Sequence, residues 1–237
     1  MIEWENYKED CCVVIPVYRK SPVFFEQASL MQCVRVLGQK YDIYLVAQFG
    51  LDLGPYKSIC PSYKFKEKRF VAGFFDSIDG YNQLCKRWEF YNSFPEYQYM
   101  LIYQLDCWVF SDNLDYFISL NYDYIGAPWF EIDTQENKAK PVKCGNGGFS
   151  LRRIGKFVEV CKNHEAEASD GKTNEDVFFS NKCDKELNIS PVDVGREFSF
   201  EVGPSVLFAL NGNKLPMGCH KPYVFEFKKF WKDYIKF

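Results

Sequence analysis

The sequence contains no run of about 18 uninterrupted apolar residues, which excludes a membrane-spanning helix. It lacks a basic excess: 29 Lys and Arg stand against 32 Asp and Glu, for a formal net charge of -3. A chain with that balance and a pI near 5.6 carries no footprint for non-specific nucleic-acid binding, so nucleic acid is not an expected partner. Its ten cysteines include no CxxC pair, and without that spacing no structural zinc site is expected. Scattered from the adjacent Cys11 and Cys12 to Cys219, they read as reduced thiols. The opening residues, MIEWENYKED, carry no apolar signal core, so the expected compartment is the cytoplasm, with peripheral contact to the inner face of a membrane as its one extension. Histidine is scarce, with only His164 and His220.

What is present is largely apolar. Hydrophobic residues make up 47% of the 237 positions and charged ones 26%, which suits one large α/β domain over 1–237 and excludes disorder. Residues 12–18, CVVIPVY, form a continuous apolar run, the pattern of a buried parallel strand that opens into a loop. Phe25, Ala28, Leu30, Met31, Val34 and Leu37 recur at helical spacing over 22–38, with Gly38 as the stop, and a second strand follows at 41–49. Strand, helix, strand opens a βαβ unit, whose ligand crevice lies beyond the carboxyl ends of the strands. Downstream the pattern predicts a loop over 51–62, a short strand at 63–65, a helix over 77–94 and strands at 100–105 and 122–129. A mobile loop is expected over 131–143, and a late strand at 198–201 is assigned no chemistry. The final residues 225–237, FEFKKFWKDYIKF, alternate aromatics with lysines; they pack as a last helix or lie on an anionic membrane surface.

One carboxylate interrupts the apolar run 100–110, MLIYQLDCWVF. Ionised Asp106, between Leu105 and Cys107, is costly to desolvate unless paired, so it binds a divalent cation or caps the strand end against backbone N–H groups. Gln104, two positions earlier, points to the same face of the strand. In CGNGGFSLR, Gly145, Gly147 and Gly148 surround Asn146, which implies a tight turn or the close approach of a ligand. No Gly-Lys-Ser/Thr follows that segment, so it is not a P-loop. Glu175 and Asp176 precede an apolar run in TNEDVFFS, where they serve the first turn of a helix capped by Thr173 or Asn174, or supply a general base. His164, in the polar stretch KNHEAEAS, reads as solvated. His220, between Gly218 and Pro222, is a hydrogen-bonded loop residue or, paired with Asp106, a ligand.

Taken in order, VIPVY, QLD, YDYIGAPW, GNGGFSLR, NEDVFFS and GCHKP, spread from residue 13 to residue 222, resemble a glycosyltransferase-like family of the GT-A fold. The resemblance implies a single Rossmann-like domain with a mostly parallel central sheet flanked by helices. Its nucleotide-sugar half would span 10–110, its acceptor half 120–222, and the tail 223–237. It implies transfer of a hexose from a nucleotide-diphosphate sugar, UDP-linked by default, to a glycan or lipid-linked acceptor, as in polysaccharide biosynthesis. Gln104-Leu-Asp106 stands where the family has its Asp-x-Asp metal and nucleotide motif; Gln104 is uncharged, so Asp106 alone supplies that strand's ligand. His220 matches a C-terminal histidine ligand for Mn²⁺ or Mg²⁺. By the same resemblance, Val17, Tyr18 and Arg19 lie beside the nucleotide base, Gly147 and Gly148 beside the donor sugar, and Trp129 walls the sugar site. Asp176 is the acceptor's base and Glu175 orients the acceptor, an arrangement that implies inversion at the anomeric carbon.

Two other classes fit less of the chain. A nucleotidyltransferase needs a Gly-rich, Lys/Arg-bearing signature after the first strand, where only Arg19 and Lys20 occur. A non-catalytic sugar-binding protein would present its aromatics, 19% of the sequence, as a platform and would need neither Asp106 nor Asp176.

Overall fold

The computed structural model describes residues 9–133 and 138–236, so most of the acidic opening segment lies outside the described residues. In chain order the strands are β1 (Glu9–Pro16), β2 (Asp42–Gln48), β3 (Lys66–Phe70), β4 (Tyr97–Tyr103), β5 (Cys107–Val109), β6 (Tyr124–Ile125), β7 (Pro128–Asp133), β8 (Lys138–Cys144), β9 (Phe149–Arg153), β10 (Ser199–Phe200) and β11 (Gly218–His220). Six of them form the central sheet in the order β3-β2-β1-β4-β9-β6. The first four of that order run parallel; β9 is antiparallel to both of its neighbours.

The long apolar runs follow from burial on both faces. Cys11, Val13, Ile15 and Val17 enter one core cluster while Cys12 and Val14 enter the other, and β4 divides Tyr99, Leu101 and Tyr103 from Met100 and Ile102 in the same way. The helix Phe24–Leu37 covers the first face through Leu30, Cys33 and Leu37. The helices Ile78–Cys85, Trp88–Asn92 and Ile154–Asn163 cover the second through Leu84, Phe90, Tyr91, Phe157 and Val160. Because β2 and β3 lie on one side of β1 and β4 on the other, the winding reverses between β1 and β4. The crevice at the carboxyl ends of that pair is where open α/β sheets take their ligands.

A second sheet, β10-β11-β5, brings the end of the chain back to this crevice. Its antiparallel β11–β5 register sets His220 opposite Cys107, and the Lys221 amide donates to the Asp106 carbonyl at 2.9 Å.

Several elements differ from their sequence expectation. The third strand is Lys66–Phe70, one segment later than 63–65, and the 51–62 loop holds a helical turn at Gly54–Lys57. The helix over 77–94 is two helices, broken where Arg87 is extended and the Lys86 ammonium turns inward to the carbonyls of Asp170 and Thr173. The polar stretch 131–143 is not a free loop: β7 and β8 pair as an antiparallel hairpin with Glu131 opposite Lys140, and 134–137 lie outside the described residues. The strand at 122–129 is interrupted at Gly126, where a Cβ would overlap the backbone of Asn146. Gln104–Asp106 are not the last residues of the strand but a turn from β4 into β5, closed by the Cys107 amide on the Gln104 carbonyl at 2.9 Å.

The tail is anchored to the domain: Phe230, Trp231 and Ile235 pack inside a cluster with Ala28, Trp108, Phe200, Leu207 and Cys219, while Tyr234 stays exposed. The segment runs through turns and one 3₁₀ turn, Trp231–Asp233, rather than a helix. No helix among the described residues is long and apolar enough to cross a membrane. Trp231→Ala is therefore expected to destabilise the fold by about 3–5 kcal/mol in denaturant titrations. A tail that served only a membrane would leave the midpoint unchanged.

Candidate active site

A cleft of about 630 Å³ opens at the carboxyl ends of β1 and β4. Val17, Tyr18, Arg19, Gln104, Asp106, Gly147, Gly148, Glu175, Asp176 and His220 all line it. Trp129 does not; it sits on the hairpin against Gly145.

His220 is the buried centre of this cleft. Its Nδ1 donates to Asn146 Oδ1 at 2.9 Å and lies 3.1 Å from Glu201 Oε1, while Nε2 faces Gln104 Oε1 at 3.1 Å and Asp106 Oδ1 at 3.3 Å. Burial alone would depress the imidazole, but the hydrogen bonds and charges of Asp106 and Glu201 outweigh it and push His220 up to about 9. For Asp106, burial raises the carboxyl, yet His220 and Lys221 hold it below the ordinary carboxylate range. With acceptors around both ring nitrogens, the pocket is built for positive charge. A cation fits it in place of the Nε2 proton: Asp106 offers an oxygen and the deprotonated Nε2 of His220 a nitrogen donor, and Glu201 and Asn146 fix the ring from behind, as a carboxylate does for a metal-ligating histidine. Cys107, which lies in the same cluster, is not available in the same way, because its thiol donates to the Gly148 carbonyl at 3.1 Å and burial raises it well above its usual value. An O,N donor set of this kind suits a divalent cation.

The Gly-rich turn owes its composition to close approach rather than to left-handed backbone, since none of its glycines has a positive φ. A Cβ on Gly148 would overlap the His220 ring, and one on Gly147 would overlap the Glu175 carboxylate. The Gly148 carbonyl also accepts from the Gln104 amide at 3.0 Å, which ties this turn to the QLD turn. Gly148→Ala should therefore destabilise the protein by about 1–3 kcal/mol and displace His220, read together by denaturation and by the His220 ring resonances in NMR.

Glu175 and Asp176 are separated by environment. Glu175 is buried, and its Oε1 pairs with Arg152 Nη2 at 2.9 Å while Oε2 has no hydrogen-bond partner. Asp176 lies at the cleft surface with its carboxylate accepting from the Val177 amide at 2.7 Å. Burial first, and then the charge of Glu175, pushes Asp176 up to about 6. A carboxylate of that pKa is matched to proton transfer near neutral pH. Asn174 occupies the N-cap position, but its side chain accepts from Asn82 Nδ2 at 3.3 Å instead of capping. The helix lasts only from Glu175 to Val177 before widening into a π turn, Phe178–Lys182.

At the other end of the cleft, Tyr18 is exposed, Arg19 lies over its ring, and the Arg19 carbonyl accepts from Tyr56 Oη at 3.0 Å. Arg19 Nε is 3.7 Å from Glu26 Oε1. Sequence reasoning missed three residues here: Asn146, Glu201 and Arg152. Asn146 lies inside the Gly-rich motif, and Glu201 ends the strand-like FSFE, so each stood next to a recognised signal.

Residues 64–220 match a protein family described as Protein of unknown function (DUF5672). The chain belongs to that family. No curated protein matches the sequence. Among solved structures, this DUF5672 protein resembles mouse xyloside xylosyltransferase 1 in its apo form, at 11% identity and a TM-score of 0.55, covering 89% of this chain and 97% of that one. It also resembles the S. cerevisiae mannosyltransferase Ktr4p in complex with GDP, at 8% identity and a TM-score of 0.54, covering 79% of this chain and 68% of that one. The Streptococcus pneumoniae glycosyltransferase GlyE aligns at 12% identity and a TM-score of 0.53 over 90% of this chain, which spans about half of GlyE (54%). The DUF5672 fold described here is thus GT-A-like, a central sheet flanked by helices.

Proposed function

We propose that this DUF5672 protein is a glycosyltransferase that moves a hexose from a nucleotide-diphosphate sugar, UDP-linked by default, to a hydroxyl of a glycan or lipid-linked acceptor, with inversion. The observation that carries this reading is the meeting, in one cleft at the switch point of a GT-A-like sheet, of a cation pocket (Asp106, His220) and a carboxylate with its pKa near 6 (Asp176). Asp176 takes the proton of the acceptor hydroxyl as that oxygen forms its bond to the anomeric carbon, and the bond from that carbon to the diphosphate breaks with its electron pair leaving on the diphosphate. Glu175, held by Arg152 beside the cleft, orients the acceptor. Val17, Tyr18 and Arg19 hold the nucleotide, and Gly147 and Gly148 line the cleft beside the donor sugar. A divalent cation held by Asp106 and His220 supplies, when bound, charge neutralisation for the departing diphosphate. A sugar-binding protein without catalysis has no use for a carboxylate tuned in this way.

Calorimetric titration with UDP, GDP and their sugars, with and without Mn²⁺, tests the reading. Binding that needs Mn²⁺ and is lost in Asp106→Asn and in His220→Ala is the expected result. Binding that is indifferent to Mn²⁺ and survives both substitutions would remove the cation pocket from the donor site.

A further inference from the structure

A second cluster of metal-ligating side chains lies outside the cleft. His164, at the end of the helix Ile154–Asn163, meets Cys183 and Glu186 in the turn that follows Phe178–Lys182, with one ligand atom of each within 4.8 Å of the others. His164 Nε2 lies 2.6 Å from Glu186 Oε1, and Asn163 Nδ2 donates to the other carboxylate oxygen at 3.1 Å, which fixes how Glu186 faces the ring. On the far side of the imidazole, Nδ1 lies 3.6 Å from Glu167 Oε1, and Glu167 is itself held by Lys182 at 2.8 Å. A histidine with Nε2 against one carboxylate, Nδ1 toward a second, anchored carboxylate, and a thiol within reach of the ring has the outer-shell arrangement of a metal ligand. The thiol is buried while His164 and Glu186 are only partly covered, so an ion has both a dry ligand and an entry path.

We propose that His164 Nε2, Cys183 Sγ and a Glu186 carboxylate oxygen bind Zn²⁺, with Glu167 as a positioning residue. One thiolate and one carboxylate balance the dication, the thiol proton passes to solvent on binding, and a mixed N,S,O set is the chemistry zinc favours. Bound there, the ion clamps the helix Ile154–Asn163 to the segment that carries Glu175 and Asp176 on its upstream side. The three ligands were invisible as a zinc motif because Cys183 and Glu186 form a Cys-x-x-Glu pair and His164 stands well upstream.

The test is titration of the full chain with Co²⁺, followed by competition with Zn²⁺. A thiolate-to-cobalt charge-transfer band that saturates at one equivalent, persists in Asp106→Asn and disappears in Cys183→Ser is expected. His164→Gln, at a partly exposed position, should weaken binding at least tenfold, and Glu167→Gln by about 10- to 100-fold, the range for loss of an outer-shell partner. It also provides a readout if Cys183→Ser fails to fold. The absence of any band with excess Co²⁺, a band that survives Cys183→Ser, or unchanged affinity in His164→Gln would overturn the site.

Discussion

Asp176→Asn is expected to lower turnover by about 10²- to 10⁴-fold, the usual contribution of a positioned general base, while making the folded protein more stable at neutral pH. The two effects share one cause. Burial and the neighbouring Glu175 raise the folded-state pKa of Asp176 from its ordinary 3.8 to about 6. The folded protein therefore holds the Asp176 proton more tightly than the unfolded chain does. Stability from this group is fully present below pH 3.8, declines as pH rises through about 6, and is gone above it. Asparagine carries no charge, so the stability difference between variant and wild type should grow across that window and then level off. Allowing for the solvent at the edge of the carboxylate, the plateau is on the order of 1–2 kcal/mol. Denaturation of both proteins at pH 4, 5, 6 and 7.5, beside donor turnover or hydrolysis measurements, checks both halves. A variant that is inactive but gains nothing above pH 6 would mean that Asp176 is not strained in the folded state, and one that keeps its turnover would remove it from the chemistry.

Those opposed effects also account for what the sequence could reveal. The sheet was legible because β1, β2 and β4 bury both faces and so read as unbroken apolar runs. The hairpin β7–β8 was not, because the cross-strand pair Glu131 and Lys140 gives it the polarity of a loop. Asp106 stood out as a charge in an apolar run, and Asp176 as one of two adjacent carboxylates. Glu201 and Arg152 raised no such signal: their partners, His220 and Glu175, lie 19 and 23 positions further along the chain, and only the packing of separate elements joins them. His164 was read as solvated from its polar neighbours, yet its ring meets Glu186 from a turn more than twenty residues away. Motifs within one segment survive in a linear reading; of the clusters assembled from several segments, the Asp106–His220 pair was reached through the family resemblance and the others were not.

Arg152→Met is expected to destabilise the protein by about 3–5 kcal/mol, the cost of leaving a buried charge without its partner. Arg152 is fully buried, its guanidinium stacked over Tyr124, Phe157 and Phe179, and its one carboxylate partner among the described residues, Glu175, already has one oxygen without a hydrogen bond. The neutral groups it touches lose less. Tyr91 Oη donates to the Cys85 carbonyl and Ser150 Oγ to the Gly147 carbonyl, so both keep a partner when the guanidinium is gone. The penalty should therefore come almost entirely from Glu175, and Arg152→Met combined with Glu175→Met should recover most of it, since the surrounding aromatics suit an apolar pair. Denaturation of the two single variants and the double variant measures that coupling; a double variant no more stable than Arg152→Met alone would locate the cost in the guanidinium's other contacts. The same double variant separates folding from function. If it is stable and yet does not transfer sugar, the buried pair is dispensable to the fold and needed for transfer.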